Sequence, residues 1–118
     1  MDLSRFKLIN ESNEVSDKIW RLSRDWDYFT KDTIGKQITR AADSISANLS
    51  EGYGRFSYKD RRKFSYIARG SLCETLNWLD KLQSRDIISG PDYDDIHTEL
   101  QNISQKLNHF INSLNKKI

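Results

Sequence analysis

The most constraining feature of this sequence is that its apolar residues recur every three or four positions in four successive segments. Val15, Ile19, Leu22, Trp26 and Phe29 follow one another at spacings of 4, 3, 4 and 3, the pattern of an amphipathic helix. Only one of the 118 residues is proline and five are glycine, so few positions interrupt a helix. The sequence therefore predicts an all-α fold, an antiparallel up-and-down four-helix bundle with short loops.

The predicted bundle is a single domain over residues 1–118, with helices at roughly 11–29, 33–53, 57–85 and 92–116. Residues 1–10 are expected to form an irregular arm. Residues 30–33 are expected to cap the second helix, Ser57 the third and Asp92 the fourth. The apolar residues expected to line the core from the second, third and fourth helices are Ile34, Ile38, Ala41, Ala42, Ile45 and Leu49; Phe64, Ile67, Ala68, Leu72, Leu76, Leu79 and Leu82; and Ile96, Leu100, Ile103, Leu107, Phe110, Ile111 and Leu114.

No motif in the sequence is typical of an active site. His97 and His109 lie twelve positions apart on one predicted helix, and the Glu-x-x-His motif of di-iron bundles is missing. Ser71 follows Gly70 but lacks the second glycine of a nucleophile elbow. We therefore predict no catalytic residue, no metal and no cofactor, and a protein that is not an enzyme.

The sequence also points to a cytoplasmic protein. No uncharged stretch is long enough to span a bilayer, and the N-terminus has no apolar run typical of a signal peptide. Cys73 is the single cysteine, which fits a reducing compartment and a structural thiol. We expect no membrane partner.

A polar strip runs along the second helix beside its apolar face. At 100° per residue it is about 80° wide. Amides, a hydroxyl and an arginine–carboxylate set are groups that hydrogen-bond one another or a neighbouring helix. Three interpretations stay open: a half-buried network inside the bundle, a subunit interface, or a catalytic or ligand site. The strip consists of Gln37, Arg40, Ser44, Asn48 and Glu51.

Positive charge is concentrated in the basic segment, residues 55–69, which has six basic residues and one acidic residue in a chain of net charge +2. Arg62, Tyr66 and Arg69 share one helix face at spacings of 4 and 3, and Arg55, Lys59 and Lys63 flank them. Arginines beside an aromatic ring suit phosphate contacts and stacking on exposed bases. The alternatives are a solvated face and a surface for an acidic protein.

Three aromatic residues lie off or at the edge of the apolar stripes. They are Trp20, Tyr28 and Trp78. Such residues are common in protein interfaces, so they favour a homo-oligomer over a monomer.

The second and third helices also carry a family resemblance. The run QITRAADSISANLSEG, residues 37–52, followed by Arg55, Phe64, Ala68, Ser71, Leu72 and Glu74, resembles a bacterial four-helix-bundle family. That family includes proteins encoded in intervening sequences of large-subunit ribosomal RNA genes. More distant relatives are the accessory variability determinant proteins of diversity-generating retroelements.

The resemblance implies a ring-shaped homopentamer of four-helix bundles without known enzyme activity. For the retroelement relatives it implies a basic surface that binds nucleic acid and a reverse transcriptase. Thr39 departs from the family pattern, in which this position is often basic. The family positions, which we interpret as fold and assembly positions, are Gln37, Arg40, Ser44, Asn48, Glu51, Gly52, Ser71 and Glu74.

Three hypotheses follow for the function. The first is a non-enzymatic homo-oligomer, a pentamer, that binds RNA or DNA through the basic segment. The second is a structural or adaptor oligomer with a protein partner, such as a reverse transcriptase, and no nucleic-acid role. The third is an enzyme that uses Arg40, Asn48 and Glu51, and it requires that strip to line an open pocket.

Overall fold

Four long helices form the molecule. The computed structural model describes residues 3–118, with side chains from Phe6 onward. The helices are α1 (Leu3–Ser23), α2 (Lys36–Tyr53), α3 (Tyr58–Ser84) and α4 (Gly90–Asn115). Each packs against its neighbour along the chain and α1 packs against α4, in a body 46 × 23 × 20 Å in extent. No strand occurs in the described range, and the predicted all-α antiparallel bundle is confirmed.

The core follows the predicted apolar stripes in α2 and α4, whose members are all buried. In α3 the prediction was wrong at Ile67, which is 42% exposed. Ser65 and Thr75 are buried on that helix instead. Each hydroxyl donates to the carbonyl four residues earlier, at 2.9 Å and 2.8 Å, so these small polar side chains enter the core with their donors satisfied.

The first helix differs from its predicted range of 11–29. It begins at Leu3, so residues 3–10 are helical rather than an irregular arm, and it ends at Ser23. Met1 and Asp2, also assigned to the arm, lie outside the described residues. Phe29 is 75% exposed instead of lying in the core, because the chain turns before it and the 3–4 spacing continues across the break by chance.

Helix caps explain where the chain turns. Asp27 caps the turn before α2, accepting a hydrogen bond from the Thr30 amide at 2.8 Å, so the cap precedes the predicted residues 30–33. Ser57 caps α3 as predicted, through the Asp60 amide at 3.1 Å. Ser89, not Asp92, caps α4, which therefore begins at Gly90.

A π-helical turn leads into α2. A helical turn, Tyr28–Thr30, continues into the π turn Lys31–Gly35 and then into α2 without a break. At Gly35 a Cβ atom would lie 3.0 Å from the Thr30 carbonyl oxygen and 3.6 Å from the Trp26 ring. A side chain at this position would therefore be tightly packed against the backbone of the π turn.

Candidate nucleic-acid interface on the third helix

Positive charge gathers at one end of the bundle. The first half of α3 holds most of the basic segment, and α4 runs antiparallel to it. Residues 104–118 therefore lie beside the basic segment, and they contain three lysines and no Asp or Glu. Residues 71–103, at the other end, contain seven acidic and two basic residues. The fold thus separates charges that nearly cancel over the whole chain.

Arg62, Tyr66 and Arg69 meet at the centre of this positive end, as their spacing predicted. The Tyr66 ring lies between the two guanidinium groups, whose carbons are 6.0 Å (Arg62) and 5.0 Å (Arg69) from its centroid. Arg62 donates to the Asn115 side chain at 2.9 Å, and Arg69 donates to the Asn108 side chain at 3.2 Å. Within the described residues neither arginine pairs with a carboxylate, so no ion pair offsets their positive charge.

The predicted flanking residues divide into two groups. Arg55 pairs with Glu51 at 2.6 Å, and its guanidinium carbon lies 4.9 Å from the Phe64 centroid. Lys63 lies over the same ring at 6.0 Å. Lys59 is exposed on the first turn of α3. Arg55 is therefore partly neutralised, whereas the two lysines are not paired in the described part of the chain.

The structure adds residues that the sequence did not assign to this surface. Arg61 donates to the Arg55 carbonyl at 2.8 Å, and its guanidinium carbon lies 5.6 Å from the Tyr58 centroid. Lys117 lies 5.3 Å from the same ring. The antiparallel packing of α3 and α4, itself predictable, was the signal that could have found Lys117. We call the following set the basic surface: Arg55, Lys59, Arg61, Arg62, Lys63, Tyr66, Arg69 and Lys117.

The polar strip of α2 is not one connected network. Asn48 donates to the Ser44 carbonyl at 2.8 Å and to its hydroxyl at 2.9 Å, and Ser71 of α3 donates to that hydroxyl at 2.9 Å. Gln37 and Arg40 are exposed at the surface of α2. The strip thus serves α2–α3 packing at its middle and meets solvent near its start.

The remaining strip residue, Glu51, and the family position Glu74 of α3 each contact a side chain four residues further along the chain. Glu51 pairs with Arg55, and Glu74 accepts a hydrogen bond from the Trp78 indole at 3.1 Å. No hydrogen bond or ion pair joins Arg40 to Asn48 or Glu51 among the residues that the structure describes. These three side chains therefore do not form one bonded cluster.

Known proteins share the sequence pattern and the fold of this chain. Residues 4–109 match the family of 23S rRNA-intervening sequence proteins. The chain belongs to this family. A solved structure from Bacteroides thetaiotaomicron, described as a protein of unknown function from the S23 ribosomal protein family, is similar with a TM-score of 0.84 and 24% sequence identity. The similarity covers 93% of this chain and 99% of that chain and shows a shared fold. No protein with a curated description matches.

In this member of the 23S rRNA-intervening sequence protein family, the end opposite the basic surface is held by ionic contacts. Lys18 of α1 donates to Glu99 and, at 2.9 Å, to Asp95 of α4, and these hydrogen bonds raise the pKa of the Lys18 ammonium. Tyr93 donates to Asp80 at 2.7 Å, and that bond together with burial raises the pKa of the Tyr93 phenol to about 12. These carboxylates are committed to structural partners.

A groove near the basic surface has further lysines in its lining, of which Lys106 pairs with Glu11 at 2.7 Å. This groove of about 540 Å³ between α1 and α4 is lined by Lys7, Lys106, Lys117 and His109 among others, and it opens at the same end as the basic surface. Over residues 3–118, no three His, Cys, Asp or Glu side chains lie close enough to hold a metal ion. None of the described helices combines the length and the apolar character needed to cross a bilayer.

Proposed function

We propose that this chain is a non-enzymatic, homo-oligomeric bundle protein of the cytoplasm that binds RNA or DNA through the basic surface. The observation that carries the proposal is the arrangement of Arg62 and Arg69 around Tyr66. Each guanidinium uses one of its five N–H donors on an asparagine of α4 and faces no carboxylate among the described residues. The remaining donors are available to phosphate oxygens.

The charge of the surrounding surface supports the same function. Phosphate contacts supply most of the sequence-independent affinity of nucleic-acid-binding proteins, and they need several cations within one footprint. The basic surface provides seven cationic side chains, of which Arg55 is partly neutralised by Glu51. The acidic residues concentrated in 71–103 lie toward the other end, where they do not repel a bound strand.

The proposed oligomer is supported by exposed aromatic residues away from the basic surface. Trp20 is 50% exposed and Tyr28 is 79% exposed, near the end of α1 and the start of α2. Large exposed rings are typical of protein contacts. Gln37 and Arg40 are exposed polar residues on the first turns of α2. The pentameric number comes from the family resemblance, and light scattering of the purified protein is the measurement that decides it.

Binding of a structured RNA tests the main proposal. An electrophoretic shift at low salt is expected to weaken steeply as salt rises, because phosphate contacts release counterions. The charge-reversed variant Arg62→Glu/Arg69→Glu is expected to give no shift. Absence of any shift with wild-type protein at low salt, or an equal shift with the variant, would overturn the proposal.

A second candidate is a structural or adaptor oligomer whose partner is another protein, such as a reverse transcriptase. The exposed Trp20 and Tyr28 favour it, because they offer aromatic contact area outside the basic surface. Arg24 lies 5.1 Å from the Trp20 centroid. Co-purification from native cells after nuclease treatment separates the two candidates. A partner that stays bound supports the adaptor function, and a partner that is lost supports the nucleic-acid function.

A further inference from the structure

Three aromatic rings are exposed at the positive end of the bundle. Phe56 lies in the loop between α2 and α3 and is 99% exposed, while Tyr58 is 41% exposed and Tyr66 is 40% exposed. Burying a phenylalanine side chain stabilises a protein by about 1.5–3 kcal/mol, and Phe56 contributes none of that to this bundle. The exposed Phe56 ring therefore does not stabilise the fold of the described chain.

Two cations lie near each tyrosine ring. Arg61 and Lys117 lie 5.6 Å and 5.3 Å from the Tyr58 centroid, and Arg62 and Arg69 border Tyr66 in the same way. Phe56 is next to Arg55 in the sequence and two residues from Tyr58. Phosphate-binding groups and flat apolar rings therefore alternate along one surface.

A surface of alternating cations and rings suits unpaired nucleic acid better than a duplex. A duplex presents phosphates but keeps its base faces stacked inside, so the exposed rings would meet only backbone. An unpaired strand presents phosphates and base faces together, and stacking of one base on an aromatic ring is worth about 1–3 kcal/mol. Tyr58 and Tyr66 are eight residues apart on α3, about 12 Å along its axis, which allows a separate base for each ring.

We propose that Phe56, Tyr58 and Tyr66 form a stacking platform for unpaired bases, so that the basic surface binds single-stranded nucleic acid in preference to duplex. The inference rests on the proposed function, because the cations must hold the backbone for the rings to reach the bases. The inference adds the loop before α3 to the binding site. The charge pattern of the sequence did not indicate this loop.

The test is fluorescence anisotropy of the full chain with a labelled RNA of about a dozen nucleotides, free and annealed to its complement, at low salt. We expect the single strand to bind at least about tenfold more tightly than the duplex. Phe56→Leu is expected to weaken single-strand binding by about tenfold and to leave duplex binding unchanged. Tyr66→Leu also removes a ring that contacts Arg62 and Arg69, so it is expected to weaken single-strand binding more than duplex binding. Circular dichroism confirms that each variant is folded.

Phe29→Leu is the matched control, since it makes the same change at a ring that is 75% exposed near the opposite end. It is expected to bind both RNAs like wild type. Anionic phosphatidylserine vesicles are a second probe, because an exposed phenylalanine among cations also suits a lipid surface. Vesicle binding that requires Phe56, without single-strand preference, would overturn the inference.

The outcomes separate the inference from the proposed function. Equal, salt-sensitive binding of single strand and duplex, unchanged by Phe56→Leu and Tyr66→Leu, would overturn the stacking platform and leave the proposed function standing. Absence of binding to either RNA would overturn both.

Discussion

The guanidinium carbon of Arg69 lies 5.0 Å from the centroid of the Tyr66 ring, one turn away on α3. The same guanidinium donates to Asn108 of α4. Two different contacts thus hold one arginine, and Tyr66 contacts Arg62 in turn. Side chains that carry no charge therefore hold the positive centre of the surface in place. In the proposed function, this lowers the entropy lost when a phosphate binds.

Replacing Arg69 by lysine tests this preorganisation. An ammonium keeps the charge but is a point donor without the planar fork that matches both the ring and the phosphate. We predict a several-fold weaker affinity of Arg69→Lys for RNA with an unchanged dependence on salt, measured by anisotropy at several salt concentrations. An affinity equal to that of wild type would show that the Tyr66 contact does not position the arginine.

The Asn48 amide is predicted to stabilise α2–α3 packing. It donates to Ser44, whose hydroxyl also accepts a hydrogen bond from Ser71. Asn48→Ala is expected to lower the free energy of unfolding by about 1 kcal/mol. Gln37→Ala, on the exposed start of α2, is the control and is expected to change it by less than about 0.5 kcal/mol. Urea titrations at one protein concentration measure both, because oligomer stability depends on concentration. Equal effects would contradict the division of the polar strip.

Two glycine-to-alanine changes are predicted to act in opposite directions. At Gly70 a Cβ atom meets nothing within 4 Å, so Gly70→Ala is expected to raise the free energy of unfolding by about 0.5–1 kcal/mol. At Gly35 the new Cβ would meet the Thr30 carbonyl at 3.0 Å within a hydrogen-bonded π turn, so Gly35→Ala is expected to lower it. Thermal unfolding of the two variants measures both changes in stability. A Gly35→Ala variant more stable than wild type would show that the π turn accommodates the new Cβ atom without loss of stability.

The Tyr93–Asp80 hydrogen bond predicts a pH dependence. The pKa of the Tyr93 phenol is raised to about 12 from the usual 10.0. The unfolded chain loses this proton first, so the stabilisation is complete below pH 10 and is lost as the pH rises toward 12. Asp80→Asn is expected to bring the Tyr93 pKa back toward 10, as read from the NMR shift of its ring carbons, with Tyr93→Phe to assign the signal. An unchanged pKa would exclude Asp80 as its cause.

The helix pattern of the sequence predicts most of the core and fails where a local contact outweighs it. The stripes of α2 and α4 are buried as expected, because their apolar residues recur without interruption. Phe29 fits the same spacing and is exposed, since the Asp27 cap redirects the chain before it. Ile67 lies outside the buried face of α3, which includes Ser65 and Thr75, whose hydroxyls bond to their own helix. Hydropathy alone does not record such local hydrogen bonds.

The candidate site was predictable in its centre and not in its margins. Arg62, Tyr66 and Arg69 follow from helix periodicity, which the structure preserves. Asn108, Asn115 and Lys117 reach the same surface only through the pairing of α3 with α4, so their roles need the register between two helices. Phe56 lies in a loop, where no periodicity indicates exposure.

The salt dependence of RNA affinity is the most direct test of the proposed nucleic-acid function. The variant Arg62→Gln/Arg69→Gln removes two charges from the basic surface, and Arg21→Gln/Arg85→Gln removes two from exposed positions near the other end. We predict that the slope of log affinity against log salt becomes shallower by about 1.5 in the first variant and stays at the wild-type value in the second. Equal slopes in both variants, or a wild-type affinity that does not fall with salt, would contradict the account.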